Sequence, residues 1–345
     1  MKKIILTGEK KFYKANLHCH SVISDGAKTP EELKNMYMRQ GYSIIAYTDH
    51  DVLLSHNELS DDDFLALNGY EMEIEEEKVA PVYLRACYLC LIALRPDNLK
   101  QVCYHRTKYL YVNSPKYRHL IQYDNTKPDF ERYYSPECIN EVIKEGRTNG
   151  FFVTYNHPQW SLESLNEYGK YHGMNAMEIC NYSSVREGFD DYNEKEYDDM
   201  LRGGERIYCI AGDDNHNDME PDDADSFGAF TVINSENLNY CTVTDALING
   251  SFYASQEPEI YELWYENGRI GVQCSECRSI ILRTGSRRCG AVYGDGRPLT
   301  SAVFDVLDTD IYVRLTITDS LGKHANTNAY FFDDLNMKKT SAEEI

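Results

Sequence analysis

Short apolar runs alternate with amphipathic helical patterns up to about residue 255, and this alternation constrains the fold more than any other feature of the sequence. Such alternation is typical of α/β domains with parallel strands. The runs that we predict to be strands are short and bounded by turn residues: 11–20, 43–48, 64–70, 151–156, 176–182 and 206–211. We therefore expect residues 1–256 to form one α/β domain.

Helix-start signals lie between these runs. Thr29 and Ser135 each precede a proline and an acidic residue, an arrangement that favours a helix N-terminus. We predict helices after both residues, the second over 137–148, and a last short helix over 245–249. The helices thus fall between predicted strands, as parallel pairing requires.

An irregular segment over residues 95–134 interrupts the alternation, after a predicted strand over 81–94. The segment is rich in Tyr, Lys, Arg and His. Long insertions of this kind are often lids or binding loops, although a solvated surface loop is an equal alternative. Its basic part, 100–118, suits an element that faces an anion.

After Pro258 the helical pattern ends. The remaining apolar runs are short and separated by Gly, Asn and Asp turns: 260–266, 269–274, 279–284, 303–306, 312–319 and 329–332. This pattern predicts a small β-sandwich over residues 257–345.

The chain is strongly acidic, with 35 Lys and Arg against 56 Asp and Glu, a formal net charge of −21. Such a surface repels nucleic acid polymers and anionic membranes and attracts divalent cations. The apolar run near the N-terminus is too short for a secretory signal, and none approaches the length of a membrane span. We expect a cytoplasmic protein. No feature of the sequence indicates an oligomeric state.

The chain has eleven cysteines, which in a cytoplasmic protein are expected to be buried thiols. Two CxxC spacings occur, at Cys87/Cys90 and Cys274/Cys277. They lie in unrelated strand-like segments, so a ribbon-type zinc site is not indicated.

Five of the ten histidines lie in short clusters with acidic residues, each where a predicted strand ends. His18 and His20 are two residues apart and can converge on one metal, and Asp25 can reach a neighbouring position. In the second cluster, His50 is the candidate ligand and Asp49 is expected to orient a ligand. Each cluster alone is weak evidence for a metal.

Three further clusters follow. Glu71 directly follows the third predicted strand, where a carboxylate can bridge two metals. Pro158 forces His157 out of the helical region directly after another strand. Asp214 and His216 form a second pair at i and i+2. Imidazole and carboxylate ligands with little thiol suit Zn, Mn or Fe, and five clusters at strand ends together predict a metal site.

These clusters, in this order, resemble the motifs of the PHP (polymerase and histidinol phosphatase) superfamily. The resemblance implies a distorted (β/α)₇ barrel, similar to a TIM barrel, with two or three divalent metals at the C-terminal ends of its strands. Carried over motif by motif, it implies one metal held by His18, His20, Glu71 and Asp214, a second by Asp25, His50 and His216, and a third by Glu71 with His157.

One position departs from the family pattern. Many members carry a further histidine on the strand after the bridging Glu, where this chain has Tyr88. The third metal is then absent or weakly held, or Tyr88 binds it as a phenolate, and Cys87 and Cys90 are alternative ligands.

The function expected from this site is hydrolysis of a small phosphate ester, a phosphomonoester or nucleotide, by metal-bound hydroxide. Asp214 either orients or deprotonates the nucleophile or acts only as a ligand. Arg186, after the strand over 176–182, is the candidate phosphate-binding cation, with residues 100–118 second. The alternatives are a non-catalytic metal-binding regulatory module with a partly degenerate site, and amide hydrolysis at the same metals.

Overall fold

The computed structural model describes residues 2–77 and 85–336. Its strands, β1 to β20 in chain order, are Lys3–Leu6, Lys11–Asn16, Ile44–Tyr47, Leu65–Glu75, Ala86–Ala93, Lys100–Gln101, Gln122–Tyr123, Phe151–Tyr155, Ala176–Asn181, Tyr208–Gly212, Phe230–Ser235, Phe252–Ser255, Ile260–Glu266, Arg269–Cys277, Ser279–Thr284, Cys289–Tyr293, Leu299–Asp305, Tyr312–Thr318, His324–Thr327 and Tyr330–Phe331. Its helices, α1 to α7, are Pro30–Arg39, Pro136–Thr148, Leu165–Tyr168, Tyr182–Glu187, Glu194–Arg202, Tyr240–Ile248 and Phe332–Asn336. Short 3₁₀ helices span Asn57–Leu59, Ser114–Leu120 and Asp308–Asp310.

The chain divides into two compact units, one formed by residues 10–256 and the other by residues 1–9 with 257–345. The sequence had assigned residues 1–9 to the first unit. They belong to the second because β1 pairs with β13, where Ile4 lies opposite Trp264. Part of the predicted strand over 81–94 and the end of the predicted C-terminal domain lie outside the described residues.

The larger unit contains a mixed sheet in the order β10-β9-β8-β5-β4-β3-β2-β11-β12. The pairs β2–β3, β3–β4, β8–β9 and β9–β10 are parallel. Beyond β10 and β2 the chain pairs again, because His20 N donates to Asn215 O at 3.1 Å and Asp214 N donates to His18 O at 2.9 Å. The sheet therefore curls, so that the segment after β10 meets the segment after β2.

Strand β5 breaks the regular β/α alternation. It is antiparallel to both β4 and β8. The sequence ended the third strand at Tyr70, but β4 continues to Glu75 and then pairs with the strand that follows it. An antiparallel partner needs only a short connection, whereas a parallel one needs a crossover. The unit is thus a mixed α/β structure with few helices.

Helix α1 illustrates how local sequence defines an element. The Thr29 hydroxyl accepts a hydrogen bond from Glu32 N at 3.2 Å, and the Glu32 carboxylate accepts one from Thr29 N at 2.8 Å. This capping box satisfies two backbone donors at the helix N-terminus. The helix buries Leu33 and Tyr37.

Apolar side chains from the sheet and from α6 form the core of this unit. Leu67, Phe152 and Ile210 contribute from three different strands, and Val243 and Leu247 contribute from α6. Burial of such side chains is worth about 1.5–3 kcal/mol each. This core supports the strand ends at which the predicted site residues lie.

The second unit is built from two antiparallel sheets. One has the order β1-β13-β14-β17, and the other contains β19-β18-β15-β16 with β20 paired to β18. All eleven cysteines of the chain are free thiols, and Cys274 Sγ lies 3.9 Å from Cys277 Sγ. Among the described residues, no helix is both long and apolar enough to cross a bilayer.

Candidate metal centre

Eight predicted ligands come together at one edge of the sheet of the larger unit. Because β4 and β8 are both antiparallel to β5, the strands β2, β3, β4, β8 and β10 point the same way, and their carboxyl ends meet at this edge. The ligands are distributed over these strand ends: His18, His20 and Asp25 follow β2, His50 follows β3, Glu71 lies on β4, His157 follows β8, and Asp214 and His216 follow β10. Strand β2 ends at Asn16, so His18 and His20 lie just beyond it and not on it as predicted.

The tightest group consists of His18, His20, Glu71 and Asp214. Asp214 Oδ1 lies 3.0 Å from Nε2 of both histidines, and these two nitrogens are 3.1 Å apart. Glu71 Oε1 lies 3.1 Å from His18 Nε2, and its Oε2 lies 3.3 Å from His20 Nε2. Ligands around a tetrahedral metal are separated by about 3.4 Å when each bond is about 2.1 Å. The group therefore has the dimensions of a metal's coordination sphere.

A second group consists of His20, Asp25, His50 and His216. Asp25 Oδ2 lies 3.5 Å from His50 Nε2 and 3.6 Å from His216 Nε2, and Asp25 Oδ1 lies 3.6 Å from His20 Nδ1. The His20 ring stacks on those of His50 and His216 at centroid separations of 4.4 and 4.3 Å. His20 thus presents one nitrogen to each group.

The third group is His18, His157 and Glu178. The expected pair also lies close, with His157 Nε2 at 3.4 Å from Glu71 Oε1. Glu178 was not among the predicted site residues. It is fully buried on β9, and its Oε1 lies 2.8 Å from His18 Nδ1. A single glutamate in the otherwise uncharged strand of residues 176–181 was the signal that could have identified it.

The donor atoms of these groups fit a divalent cation. His20 Nδ1, His50 Nδ1 and Asp214 Oδ1 are buried and have no hydrogen-bond partner in the part of the chain that the structure describes. A buried polar atom without a partner costs about 1–3 kcal/mol. Three such atoms within one cluster of imidazoles and carboxylates are explained if the cluster holds metal ions.

Burial and neighbouring charges shift the pKa values of the histidines in the cluster. Burial alone lowers the pKa of His18, but the negative charge of Asp214 in particular raises it well above the usual value. The pKa of His157 is likewise raised to about 9, against the effect of burial, by Glu71 and Asp214. Burial and the neighbouring His20 lower the pKa of His50 to about 4. The carboxylates thus favour the protonated forms of His18 and His157. A metal that binds these imidazoles must displace their protons.

Asp49 fixes the loop that carries Asp25. Its Oδ1 accepts hydrogen bonds from Ser21 N at 2.8 Å and from the hydroxyl of Ser24 at 2.8 Å, and its Oδ2 accepts one from the hydroxyl of Ser21 at 2.8 Å. A Cβ at Gly26 would lie 2.6 Å from His20 O, so only glycine permits this close return of the chain. Asp49 holds the loop that carries Asp25, and its role in orienting a metal ligand stays a prediction.

Two asparagines hold the carboxylates of the cluster. Asn156 Nδ2 donates to Glu71 Oε1 at 2.8 Å. Asn181 Nδ2 donates to Asp214 Oδ2 at 3.1 Å and to Glu178 Oε2 at 2.9 Å. Such partners fix the direction in which a ligand oxygen points.

Three non-glycine residues at these strand ends have left-handed backbones: Asp51 with φ 57°, His157 with φ 27° and Asp214 with φ 54°. Residues in this region cost about 1–3 kcal/mol and persist where the surroundings enforce them. Their concentration beside the cluster is typical of a functional site.

A cavity of about 190 Å³ adjoins the cluster, and Tyr88 lies on its wall. The Tyr88 hydroxyl donates to Glu73 Oε1 at 2.5 Å, and its ring lies 4.9 Å from that of His157. Burial and the charge of Glu73 raise the pKa of Tyr88, so without a metal its hydroxyl stays protonated. Burial also raises the pKa of Glu73 to about 7.

The predicted phosphate-binding cations lie away from this cavity. Arg186 is exposed on α4, which lines the cavity with Ser183, Ser184 and Glu187. Within the 100–118 segment, Arg106 pairs with Asp129 at 2.6 Å and Lys108 with Glu131 at 2.6 Å.

The 95–134 insertion reaches the site through other residues. Arg132, at its end, forms a buried bidentate pair with Asp51, the residue after His50. Tyr111 contributes to the wall of the cavity. A larger cavity of about 1170 Å³ shares Tyr88, Tyr111 and Trp160 with the smaller one, so the two are neighbours across this aromatic wall.

No family model and no curated protein matches the sequence. Among solved structures, a two-domain protein from Bacteroides vulgatus ATCC 8482 with a predicted PHP-like metal-dependent phosphoesterase is 16% identical. The match covers 92% of this chain and 93% of that one, with a TM-score of 0.45.

A protein from Bifidobacterium adolescentis ATCC 15703 named as a metal-dependent phosphoesterase is 17% identical over 59% of this chain and 87% of its own, with a TM-score of 0.37. An amidohydrolase from Chromobacterium violaceum with bound sulfate and no metal is 15% identical over 59% and 87%, with a TM-score of 0.36. Two of these three similar structures are named as phosphoesterases, and one carries the name of the PHP family that the sequence motifs resemble.

Proposed function

We propose that the protein is a metal-dependent hydrolase of the PHP type that cleaves a small phosphate ester. One observation carries the proposal: Asp214 Oδ1 lies 3.0 Å from Nε2 of both His18 and His20, yet finds no hydrogen-bond partner among residues 2–77 and 85–336. A carboxylate oxygen placed between two imidazoles without hydrogen-bond geometry is arranged for a shared cation.

The proposal assigns two or three divalent ions, Zn, Mn or Fe, to the cluster. The first is held by His18, His20, Glu71 and Asp214, the second by Asp25, His50 and His216, and the third by Glu71 and His157 with Glu178 close by. The curled seven-strand series from β2 to β10 is, in this proposal, a distorted (β/α)₇ barrel. The unit of residues 10–256 is the proposed hydrolase domain, and the unit of residues 1–9 with 257–345 is proposed to be a β-sandwich.

Bound metals would lower the pKa of water to produce a nucleophile near neutral pH and would stabilise the charge of a phosphoryl group. The residues of the chain position the water and the substrate. Asp214 is placed to orient the attacking water or accept its proton, since Asn181 fixes Oδ2 at 3.1 Å. Arg186 remains a candidate for phosphate binding, but from its exposed position its side chain must turn toward the cavity.

The size of the cavity and the charge of the protein indicate the substrate class. A cavity of about 190 Å³ suits a phosphoryl group with a small part of its leaving group. The net charge of −21 opposes binding of a nucleic acid polymer. A small phosphomonoester or a nucleotide is therefore the proposed substrate.

Hydrolysis of a panel of phosphate esters by protein loaded with Zn, Mn or Fe tests this proposal. The panel contains nucleotides, sugar phosphates and amino-alcohol phosphates, with amide substrates as the comparison. Activity that disappears in His18→Ala, without loss of the folded structure, would support it. Inactivity toward every ester, or cleavage of amides alone, would contradict it.

The position of Tyr88 favours one alternative, a metal-binding module without turnover. Its hydroxyl donates to Glu73 Oε1 at 2.5 Å, and Glu73 is not one of the eight proposed ligands. This alternative predicts full metal content together with no hydrolysis of any substrate in the panel, a combination that the phosphoesterase proposal does not allow.

A further inference from the structure

The cavity beside the metal cluster contains no Lys or Arg among its described lining residues. Apart from the proposed ligands, the residues on its wall are Tyr88, Tyr111, Trp160, Ser183, Ser184, Glu187 and Asp218. A phosphoryl group bound here must therefore find its protein donors among neutral side chains.

Two of the possible donors are already engaged. The Tyr88 hydroxyl donates to Glu73 Oε1 at 2.5 Å, and Trp160 Nε1 donates to Glu187 Oε2 at 2.7 Å. The backbone N–H groups of Ser183 and Ser184 are also engaged, by Asp213 O at 2.9 Å and by the Asn181 side chain at 3.0 Å.

Three hydroxyl groups remain, those of Ser183, Ser184 and Tyr111. Within the described part of the chain, none of the three donates to or accepts from another group. Ser183 and Ser184 are 5% and 2% exposed. None of their oxygen atoms is among the buried polar atoms without a partner, so they face the solvent of the cavity, and a ligand that replaces this solvent can accept their hydrogen bonds.

Tyr111 approaches the cavity from the insertion, whereas the two serines approach from α4. Its ring lies 5.0 Å from that of His50. A tyrosine hydroxyl is protonated near neutral pH and can donate a hydrogen bond. The three donors thus come from α4 and from the insertion, and they line the same cavity. The proposed ligands His50, Asp214 and His216 line it as well.

We propose that Ser183, Ser184 and Tyr111 bind the non-bridging oxygens of the substrate's phosphoryl group, in the role that Lys or Arg has in many phosphate sites. The inference rests on the proposed function and names its substrate class more closely. Because the three donors are neutral and Glu187 and Asp218 share the wall, the described lining residues contribute no Lys or Arg charge beyond the metals. The site then accepts a single phosphoryl group and discriminates against di- and triphosphates.

Calorimetric titration of inorganic phosphate into metal-loaded protein tests the inference without relying on turnover. We expect Ser183→Ala, Ser184→Ala and Tyr111→Phe each to raise the Kd for phosphate about tenfold, the loss of one hydrogen bond to a charged group. Metal content, measured in the same samples, should not change. Ser55→Ala and Tyr117→Phe, a serine outside the cavity and a tyrosine elsewhere in the insertion, are the matched controls and should bind phosphate as the wild type does.

An unchanged phosphate Kd in the three variants at full metal content overturns the inference, as does metal-loaded wild-type protein that binds no phosphate. Weaker phosphate binding in the variants, with no ester hydrolysed by the wild type, keeps the binding assignment and refutes the phosphoesterase proposal. If an alanine variant does not fold, Tyr111→Phe decides the question, because it removes a single oxygen atom. From the charge argument we expect pyrophosphate to bind no more tightly than phosphate. Much tighter binding of pyrophosphate would contradict that argument.

Discussion

Glu178 Oε1 lies 2.8 Å from His18 Nδ1, and this contact turns His18 Nε2 toward Glu71 and Asp214. A carboxylate that accepts from the far nitrogen of a metal-binding imidazole fixes its tautomer and raises its basicity. The other oxygen of Glu178 accepts from His157 N at 3.1 Å and from Asn181 Nδ2 at 2.9 Å. One buried carboxylate therefore links three strand ends of the site.

Glu178→Gln is expected to lower metal affinity about 10- to 100-fold. An amide has one oxygen, so it can serve either His18 or the donors on the other side, and its NH₂ group then faces a donor. Metal affinity is measured by competition with a chromogenic chelator. Glu205→Gln is the matched control, since Glu205 accepts from an exposed histidine, His172, at 2.7 Å. Equal affinities in both variants would show that Glu178 does not position His18.

The pair of Asp51 and Arg132 is expected to anchor the insertion. Both side chains are almost fully buried, and Arg132 also donates to Glu73 O at 3.0 Å. Arg132→Met leaves Asp51 as a buried charge without a partner, and should lower the free energy of unfolding by about 3–5 kcal/mol. Chemical denaturation of metal-free protein measures this.

The double variant Asp51→Asn with Arg132→Met removes the unpaired charge and should recover most of that loss. Lys195→Met, which breaks an exposed pair with Asp199 on α5, should change stability by less than about 1 kcal/mol. A double variant as unstable as Arg132→Met alone would contradict this account of the pair.

Glu163 should make the protein less stable as pH rises. Its carboxylate accepts from the hydroxyls of Tyr134 and Tyr155 at 2.6 Å each and from that of Tyr171, and it has no basic partner among the described residues. Burial raises its pKa to about 7. The folded state therefore holds a proton that the unfolded state, with a pKa near 4.3, has released. The free energy of unfolding is highest below about pH 4.3 and falls as pH rises toward and through about 7.

Glu163→Gln removes this titration. Relative to the wild type, the variant should gain stability between pH 5 and pH 8, by at most on the order of 2–3 kcal/mol. Denaturation of both proteins at several pH values gives the difference. A difference that is constant over this range would show that Glu163 titrates with an ordinary pKa.

The clustering of these eight side chains could be predicted because its signals are local. A pair such as His18 and His20 is close in sequence, and Pro158 alone is enough to place His157 at a turn. The strand ends at which these residues lie meet in space because parallel strands share an edge. Spacing and strand order together were sufficient to bring all eight side chains into one prediction.

The residues that orient the ligands could not be found in this way. Glu178 contacts His18 across 160 positions, and Asn156 contacts Glu71 across 85. Such contacts depend on which strands are neighbours, and a local pattern does not encode this. The same holds for β1, whose pairing with β13 joins opposite ends of the chain, and for the antiparallel direction of β5.

The central claim is that the cluster around His18 holds divalent metals, and elemental analysis of protein purified without chelator tests it most directly. The wild type and His172→Ala, which changes an exposed histidine, should carry about two or three equivalents of Zn, Mn or Fe. His18→Ala should lose at least one equivalent while remaining folded. No metal in the wild type, even after Zn, Mn and Fe are supplied, or an unchanged content in His18→Ala, would contradict the claim.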